Sequence, residues 1–303
     1  MSSQVSPCRI VVVGGSGFLG SHVADHLSNA GHSVVIYDCN KSPWLRPDQE
    51  MVIGDVLDRD RLDEVIAGAT IVYNFAGIAD LDLAMSHPED TAEVNVYGNV
   101  LLLEASHRHA VERYVYASTV YVNSREGGFY GCSKRAAEDY VRVFGELRGM
   151  DYVVLRYGSL YGLRAGDSNG LRTIVRQALT DGVIRYAGSP DAIREYIHVD
   201  DAARASLLAL EDEFTNLSVV VTGLDSLRVG DLLKMLAEIL GLSDKITYVS
   251  GDQPGHYVRT PYADRVVRAR KFIPSMTVDL GQGILEVIED LRSDSRSGSD
   301  PVD

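Results

Sequence analysis

Ile10-Val11-Val12-Val13-Gly14-Gly15-Ser16-Gly17-Phe18-Leu19-Gly20 is a β-branched apolar run that breaks into glycines. A segment of helical character, Ser21 to Asn29, follows at once and is stopped by Gly31. A strand, a glycine loop and a helix in that order form an element that holds a dinucleotide, with the pyrophosphate at the helix N-terminus. Gly14 allows the tight turn, Gly17 the close approach of the pyrophosphate, and Gly20 the close packing of helix on strand. Ser16, Phe18 and Leu19 complete the loop and, with those glycines, are its candidate cofactor-binding residues.

Outward from this loop the pattern repeats. Ser33 to Tyr37 is a second β-branched run, closed by Asp38, eighteen residues after Gly20. A carboxylate at that place accepts from the adenosine ribose hydroxyls and repels a 2′-phosphate. No arginine stands beside it and Lys41 is the nearest cation, so the spacing predicts NAD rather than NADP. Asn40, just beyond, joins the same candidate set. Met51 to Ile53, Thr70 to Phe75, Arg113 to Ala117 and Asp151 to Arg156 read as strands, and Asp60 to Ile66, Thr91 to Arg108 and Ser133 to Phe144 as helices. Alternating strands and helices imply right-handed βαβ units, hence an α/β fold with a Rossmann-type, doubly wound parallel sheet. Asp55-Val56 after the third strand suits the adenine, and the small residues of Phe75-Ala76-Gly77 after the fourth let backbone pass close to a cofactor.

After Tyr157 the rhythm changes. The stretch to Arg194 is glycine-rich, with one helix near Leu171 to Thr180; Val229 to Leu240 reads as an amphipathic helix and Gly251 to Gly255 as loop. The expected organisation is a dinucleotide-binding domain over 8–157 and a smaller, irregular substrate lobe over 158–291. A segment of about 195–222 returns from the lobe to the first domain, and Arg292 to Asp303, rich in Ser, Asp and Gly, is a disordered tail.

Net charge is −14, which argues against nucleic acid and anionic membrane surfaces as partners. No apolar run reaches membrane-spanning length, and Met1 to Arg9 lacks the regions of a signal peptide. Cys8, Cys39 and Cys132 are scattered, in no metal-ligating pattern, and suit a reducing cytoplasm; no metal is expected.

Tyr130 and Lys134 stand four positions apart, and on a helix positions i and i+4 lie on one face. An ammonium beside a phenol favours phenolate, so the tyrosine is expected below its ordinary value of about 10. Such a tyrosine can take a proton from a carbinol as hydride leaves, or return it to a carbonyl.

These motifs, in order, resemble the extended short-chain dehydrogenase/reductase superfamily, in particular its NAD-dependent nucleotide-sugar epimerase/dehydratase branch. The resemblance covers roughly residues 8 to 292. It is carried by Gly14 to Gly20, Asp38, Gly54-Asp55-Val56, Asn74-Phe75-Ala76-Gly77, Asn95-Val96-Tyr97-Gly98-Asn99, Ala117-Ser118-Thr119, Tyr130-Gly131-Cys132-Ser133-Lys134, Leu155-Arg156-Tyr157, Arg194 to Asp201 and Pro254-Gly255. It implies Tyr130 as acid/base, Lys134 on the nicotinamide ribose, and a hydroxyl after the fifth strand on the reacting sugar hydroxyl. Thr119 fits that place by counting from the strand start, with Ser118 as the alternative. The resemblance adds Asn95 and Tyr157 to the cofactor set. It places Ala79, Thr119, Ser159, Arg194 and Gln253 against substrate, with Arg194 on a nucleotide diphosphate. His198 reads as a packed structural histidine.

Departures from the branch are informative. Thr119-Val120-Tyr121 stands where dehydratases carry Thr-Asp-Glu, which counts against a 4,6-dehydratase. The segment Val122 to Phe129 is short. Ser159 replaces an asparagine, Gln253 an arginine and His256 an aspartate. The expected activity is an NAD-dependent epimerase of a nucleotide-diphosphate sugar, at C4, through a transient keto-sugar. A sugar dehydrogenase or keto-sugar reductase is the alternative, ahead of a 4,6-dehydratase or a non-catalytic dinucleotide sensor. Superfamily analogy adds a homodimer through a helix pair.

Overall fold

A computed structural model of the chain describes residues 7–124, 126–224, 226–249, 258, 269–274 and 277–297. Strands β1 (Arg9–Val13), β2 (Ser33–Asp38), β3 (Gln49–Ile53), β4 (Ile71–Asn74), β5 (Arg113–Thr119) and β6 (Asp151–Tyr157) are the six predicted from the β-branched runs. Two later strands, β11 (Leu217–Val221) and β14 (Arg270–Phe272), extend them. The resulting eight-stranded sheet has the order β14-β11-β6-β5-β4-β1-β2-β3 and is parallel throughout.

Parallel strands buried on both faces are apolar at nearly every position, and β1 shows why this one is. Ile10 and Val12 enter one core cluster, with Val23 and Leu27 of α1 (Phe18–Asn29) and Ala202 of α8 (Val199–Ser206). Val11 and Val13 enter the other, with Leu62 of α2 (Arg59–Ile66), Leu102 of α5 (Asn99–Arg108) and Val141 of α6 (Gly128–Arg148). A third cluster contains no residue of this sheet. It is built by α7 (Gly170–Asp181), α9 (Val229–Leu240) and α10 (Leu280–Ser297), around Val175, Leu236 and Ile284. Short strands accompany it: β7 (Ser159–Tyr161) pairs with β10 (Tyr196–His198), β8 (Ile184–Ala187) with β13 (Ile246–Val249), and β9 (Ile193–Arg194) with β12 (Leu227–Arg228).

Three local readings change. Thr91 to Arg108 is not one regular helix: α4 (Pro88–Ala92) passes through a π-helical turn, Glu93–Gly98, into α5. α6 begins at Gly128, well ahead of Ser133, after Gly127 at φ 86°, and this puts Tyr130 in its first turn. Residues 292–297 continue α10 instead of forming a tail, because Arg172 of α7 reaches across to Asp290 at 2.5 Å and Asp294 at 3.1 Å. The rest of that expected tail, 298–303, and the loop Gly251 to Gly255 lie outside the described residues.

The chain leaves β1 towards β2 on one side and resumes at β4 on the other, so strand order reverses between β1 and β4. A crevice opens beyond the carboxyl ends of strands at such a reversal. Here Val13 pairs with Asn74, and the glycine loop faces the residues that follow Asn74.

Candidate active site

The crevice is shaped by close backbone approach. Gly14 has φ 77°, and a Cβ on it would lie 2.5 Å from the Ala76 nitrogen. Only glycine accommodates both conditions. A Cβ on Gly20 would meet the Gly14 carbonyl oxygen at 2.3 Å, so α1 starts against the loop. Gly17 caps α1 without a side-chain hydrogen bond, leaving first-turn N–H groups for an anion. Leu19 turns its side chain into the core, so only its backbone faces the loop side.

Asp38 is held in place. Its Oδ2 accepts from the Ser16 backbone at 3.0 Å and its Oδ1 from the Asn40 backbone at 2.9 Å, while the Ser16 hydroxyl donates to the Asn40 carbonyl at 2.8 Å. The Cys39 thiol also donates to Oδ1, at 3.7 Å, and of the roughly four acceptor sites of a carboxylate this leaves about one on Oδ2 for a ribose hydroxyl. Asp38, Asn40, Asp55, Val56, Phe75, Ala76 and Gly77 line one cavity of about 390 Å³ with Gly14 and Gly17. Asp55 is fixed there by the Leu57 N–H, 2.9 Å from its Oδ1. These features fit an adenine dinucleotide. Tyr157 does not belong to this crevice. It is buried with its hydroxyl 2.7 Å from Ser206 Oγ, because the parity of β6 turns it onto the α8 side of the sheet.

The π-helical turn has a visible consequence. It carries Asn95 inward, where its amide donates to the Ile78 carbonyl and to Ser133 Oγ, both at 2.9 Å, and accepts from the Ile78 N–H at 2.7 Å. Gly77, at φ 154°, passes between this amide and Lys134: a Cβ there would lie 2.7 Å from Asn95 Oδ1 and 3.5 Å from Lys134 Nζ. Such turns recur at functional sites.

Lys134 is buried, donates to the Ala117 carbonyl at 3.0 Å, and stands 4.9 Å over the Tyr116 ring. Burial lowers its pKa to about 8, against an opposing pull from Glu138. Tyr130 lines one cavity with Thr119 and packs edge-on against Tyr121 at 6.2 Å. Burial pushes its phenol up to about 12, partly offset by Thr119. That reverses the expected direction: loss of hydration outweighs an ammonium that is itself desolvated and bound to Ala117. In the free chain both groups therefore hold their protons at neutral pH, Tyr130 as a donor and Lys134 as a cation.

The two hydroxyls after the fifth strand separate cleanly. Thr119 faces Tyr130 and lines the adjoining cavity of about 370 Å³. Ser118 is not brought there; its hydroxyl donates to Glu138 at 2.6 Å, on the α6 side. Ala79, Ser159 and Phe18 line the same cavity as Thr119, so Phe18 sits on the reacting side of the loop. Tyr121, Ser159 and Asn169 line both this cavity and a further one of about 630 Å³, which extends the groove to Arg194. Arg194 is buried and donates to the Ile193 carbonyl at 3.1 Å. Gln253 lies outside the described residues, as do Pro254-Gly255 and His256.

Residues not expected from the motifs also line the groove. Asn169 caps α7, accepting from the Arg172 N–H at 3.2 Å, and Arg185 and Tyr186 come from β8. Ser168-Asn169-Gly170 ahead of Leu171 is a legible helix start; nothing in the sequence joins Arg185 to this place.

The NAD dependent epimerase/dehydratase family matches residues 10–221. The chain belongs to this family. It is 27% identical to a protein of Methanocaldococcus jannaschii provisionally named UDP-glucose 4-epimerase, over 95% of this chain and 100% of that one. It is 26% identical to a dTDP-glucose 4,6-dehydratase of Streptomyces niveus, over 97% and 95%. Its structure is similar to that of the UDP-glucose 4-epimerase of Thermus thermophilus, solved with NAD, at TM-score 0.77 and 26% identity, over 94% of this chain and 99% of that one. The protein is thus an NAD-dependent enzyme. No helix among its described residues is long and apolar enough to cross a membrane.

Proposed function

We propose that this enzyme is a nucleotide-sugar epimerase acting at C4, with the sugar beside Tyr130 and the nucleotide diphosphate towards Arg194. The observation that carries the reading is the Tyr130–Thr119 hydroxyl pair, set where the NAD crevice meets the groove and followed by Val120-Tyr121 instead of two acids. The 4-epimerase relatives support it. NAD bound in the crevice beside Asp38 and the glycine loop would supply the acceptor, and then the donor, for the C4 hydride. Tyr130, protonated in the free chain, has to release its own proton to solvent before the reaction, a loss that the positive charges of Lys134 and the nicotinamide favour; as phenolate it then takes the C4 hydroxyl proton when the hydride leaves and returns it to the oxygen afterwards. Thr119 orients that oxygen, and Lys134 holds the ribose of the nicotinamide. Ser159 and Ala79 bound the space in which the keto-sugar turns over, and Arg194 anchors the diphosphate so that the sugar rotates without leaving.

The test is to follow UDP-glucose deuterated at C4. Epimerisation within one bound cofactor retains the label at C4 in a galactose-configured product. Label recovered in free NADH would mean a dehydrogenase, and a product lacking one water would mean a dehydratase.

We also read residues 158–291 as the substrate side of the enzyme, returning to the sheet at β11, and the cytoplasm as its compartment. A homodimer seated on α6 is supported by that helix's exposed Phe129, Tyr140, Val143 and Leu147, with Tyr97 alongside. A sedimentation mass of one chain would refute it.

A further inference from the structure

Tyr130, Lys134 and Glu138 occupy successive turns of α6, so one stripe of the helix carries a phenol, an ammonium and a carboxylate. Glu138 is 1% exposed, and a carboxylate so buried has to be paired. Its Oε1 accepts from the Ser118 hydroxyl at 2.6 Å and from Arg156 Nε at 2.9 Å. Its Oε2 accepts from Arg156 Nη2 at 2.6 Å and from Arg142 one turn further along α6. Ser118 and Arg156 are register partners on β5 and β6. One carboxylate therefore ties α6 to the carboxyl ends of two strands, directly behind the point where Thr119 of β5 meets Tyr130 of α6. We propose that Glu138 and Ser118 are positioning residues, which lock Thr119 and Tyr130 into reacting register through the Ser118–Glu138–Arg156 linkage. This rests on the reading of Tyr130 and Thr119 as the reacting pair.

Core packing alone gives a weak account of the linkage. Replacing a buried ion pair by apolar side chains of similar volume is often neutral or stabilising, so stability is a poor reason for this one. What the charged linkage supplies is direction: three bonds of fixed geometry between elements that each carry part of the site. It also supplies a negative charge one turn from Lys134. The other groups facing that ammonium are the Ala117 carbonyl and the Tyr116 ring from β5, the Asn95 amide and Gly77 across the crevice, and Tyr130 on its own helix. None of these is anionic at neutral pH. Glu138 raises the Lys134 pKa against burial, so neutralising Glu138 makes Lys134 lose its proton at lower pH.

The experiment compares Glu138→Gln and Ser118→Ala with the parent enzyme. It measures kcat, KM, NAD affinity, melting temperature and the pH dependence of kcat/KM. Glutamine keeps the acceptor for Ser118 but not the charge; alanine at 118 removes one hydroxyl and is a small enough change to fold if the first variant does not. Both variants are expected to lose kcat on the order of tenfold or more, as misplacement of reacting groups does, with NAD affinity held. The alkaline limb of the pH profile should move to lower pH for Glu138→Gln and stay in place for Ser118→Ala. Variants that melt earlier yet keep kcat and the parent pH profile would overturn the proposal and leave a merely structural pair. A raised KM with unchanged kcat for Ser118→Ala would also overturn it, by putting that hydroxyl on the substrate. Failure of the epimerase reading shows instead in the parent enzyme, which would then not interconvert 4-epimers at all.

Discussion

The crevice proposed for NAD and the groove that runs from Tyr130 to Arg194 are built from different materials. Backbone makes the crevice: the turn at Gly14, the open first turn of α1, and the approach of Ala76 within a distance that any side chain on Gly14 would violate. Its one determining side chain, Asp38, is anchored by the N–H of Asn40, two residues on, and by that of Ser16 in the glycine loop. Side chains make the groove, and they come from far apart: Thr119 from β5, Tyr130 from α6, Ser159 from β7, Asn169 from the start of α7, Arg194 from β9. The first is announced by a short contiguous motif because the glycines supply the turn and helix start on which the residues after β2, β3 and β4 then close. The second exists only once α7, β8 and β9 have closed over the ends of the strands. That contrast accounts for a family whose members share NAD and differ in what they do to a sugar.

Substitutions should separate the two regions. Tyr130→Phe, at their seam, should show the largest effect. Turnover falls by about 10²–10⁴, the range for lost general acid–base catalysis, while NAD affinity is unchanged. Calorimetric NAD titration beside kcat checks both, and a parallel loss of NAD affinity would mean that seam and crevice are not separable. Arg194→Ala, at the far end of the groove, comes next. Removing a charge-assisted contact to phosphate costs about 1.5–3 kcal/mol, so KM for the nucleotide sugar should rise roughly 10- to 100-fold with kcat and NAD binding little changed. An unchanged KM would sink the assignment of this end to the diphosphate. Asp38→Ala, in the crevice, should have the smallest effect. NAD binds about tenfold less tightly while NADP does not weaken, so the preference between them narrows. A retained preference would show that backbone alone, and not the carboxylate, sets it.

Acid–base behaviour sharpens the same contrast. Lys134 at about 8 and Tyr130 at about 12 describe a buried ammonium and a half-buried phenol at the wall of the groove. The folded-state value of Lys134 lies below its ordinary 10.5. Folding thus opposes its protonation: the stability lost to that buried cation is lost in full below about 8 and recovered between about 8 and 10.5, where the folded chain has shed a proton that the unfolded chain still binds. Activity that needs the cation runs the other way and declines over the same range.

Much of this was legible along the chain because it depends on neighbours in sequence. The β-branched runs give the strands from β1 to β6; those inside the sheet are buried on both faces and have few alternatives to valine and isoleucine, while β3 is a part-exposed edge. Tyr130 and Lys134 share a helix face by spacing alone, and Glu138 four residues on could have been read from the same count. Asp38 follows its strand and sits where its strand ends.

Other features needed the folded chain. Alternation along β5 says that Ser118 and Thr119 point to opposite faces. Only the packing of α6, with Glu138 drawing Ser118 to itself, decides which of them meets Tyr130. Tyr157 obeys the same parity and is turned away, onto Ser206. Asn95 turns inward onto Ile78 and Ser133, behind the crevice wall, within a π-helical turn that no residue pattern announces. Residues 292–297 look like a solvated tail until Arg172, far away in sequence, supplies the charge that holds them helical. The phenol of Tyr130 is the clearest case. Its partner Lys134 is set by sequence, and it argues for a lowered pKa; the depth of burial, which only tertiary packing fixes, raises it, because desolvation acts on both groups and the ammonium spends its hydrogen bond on Ala117.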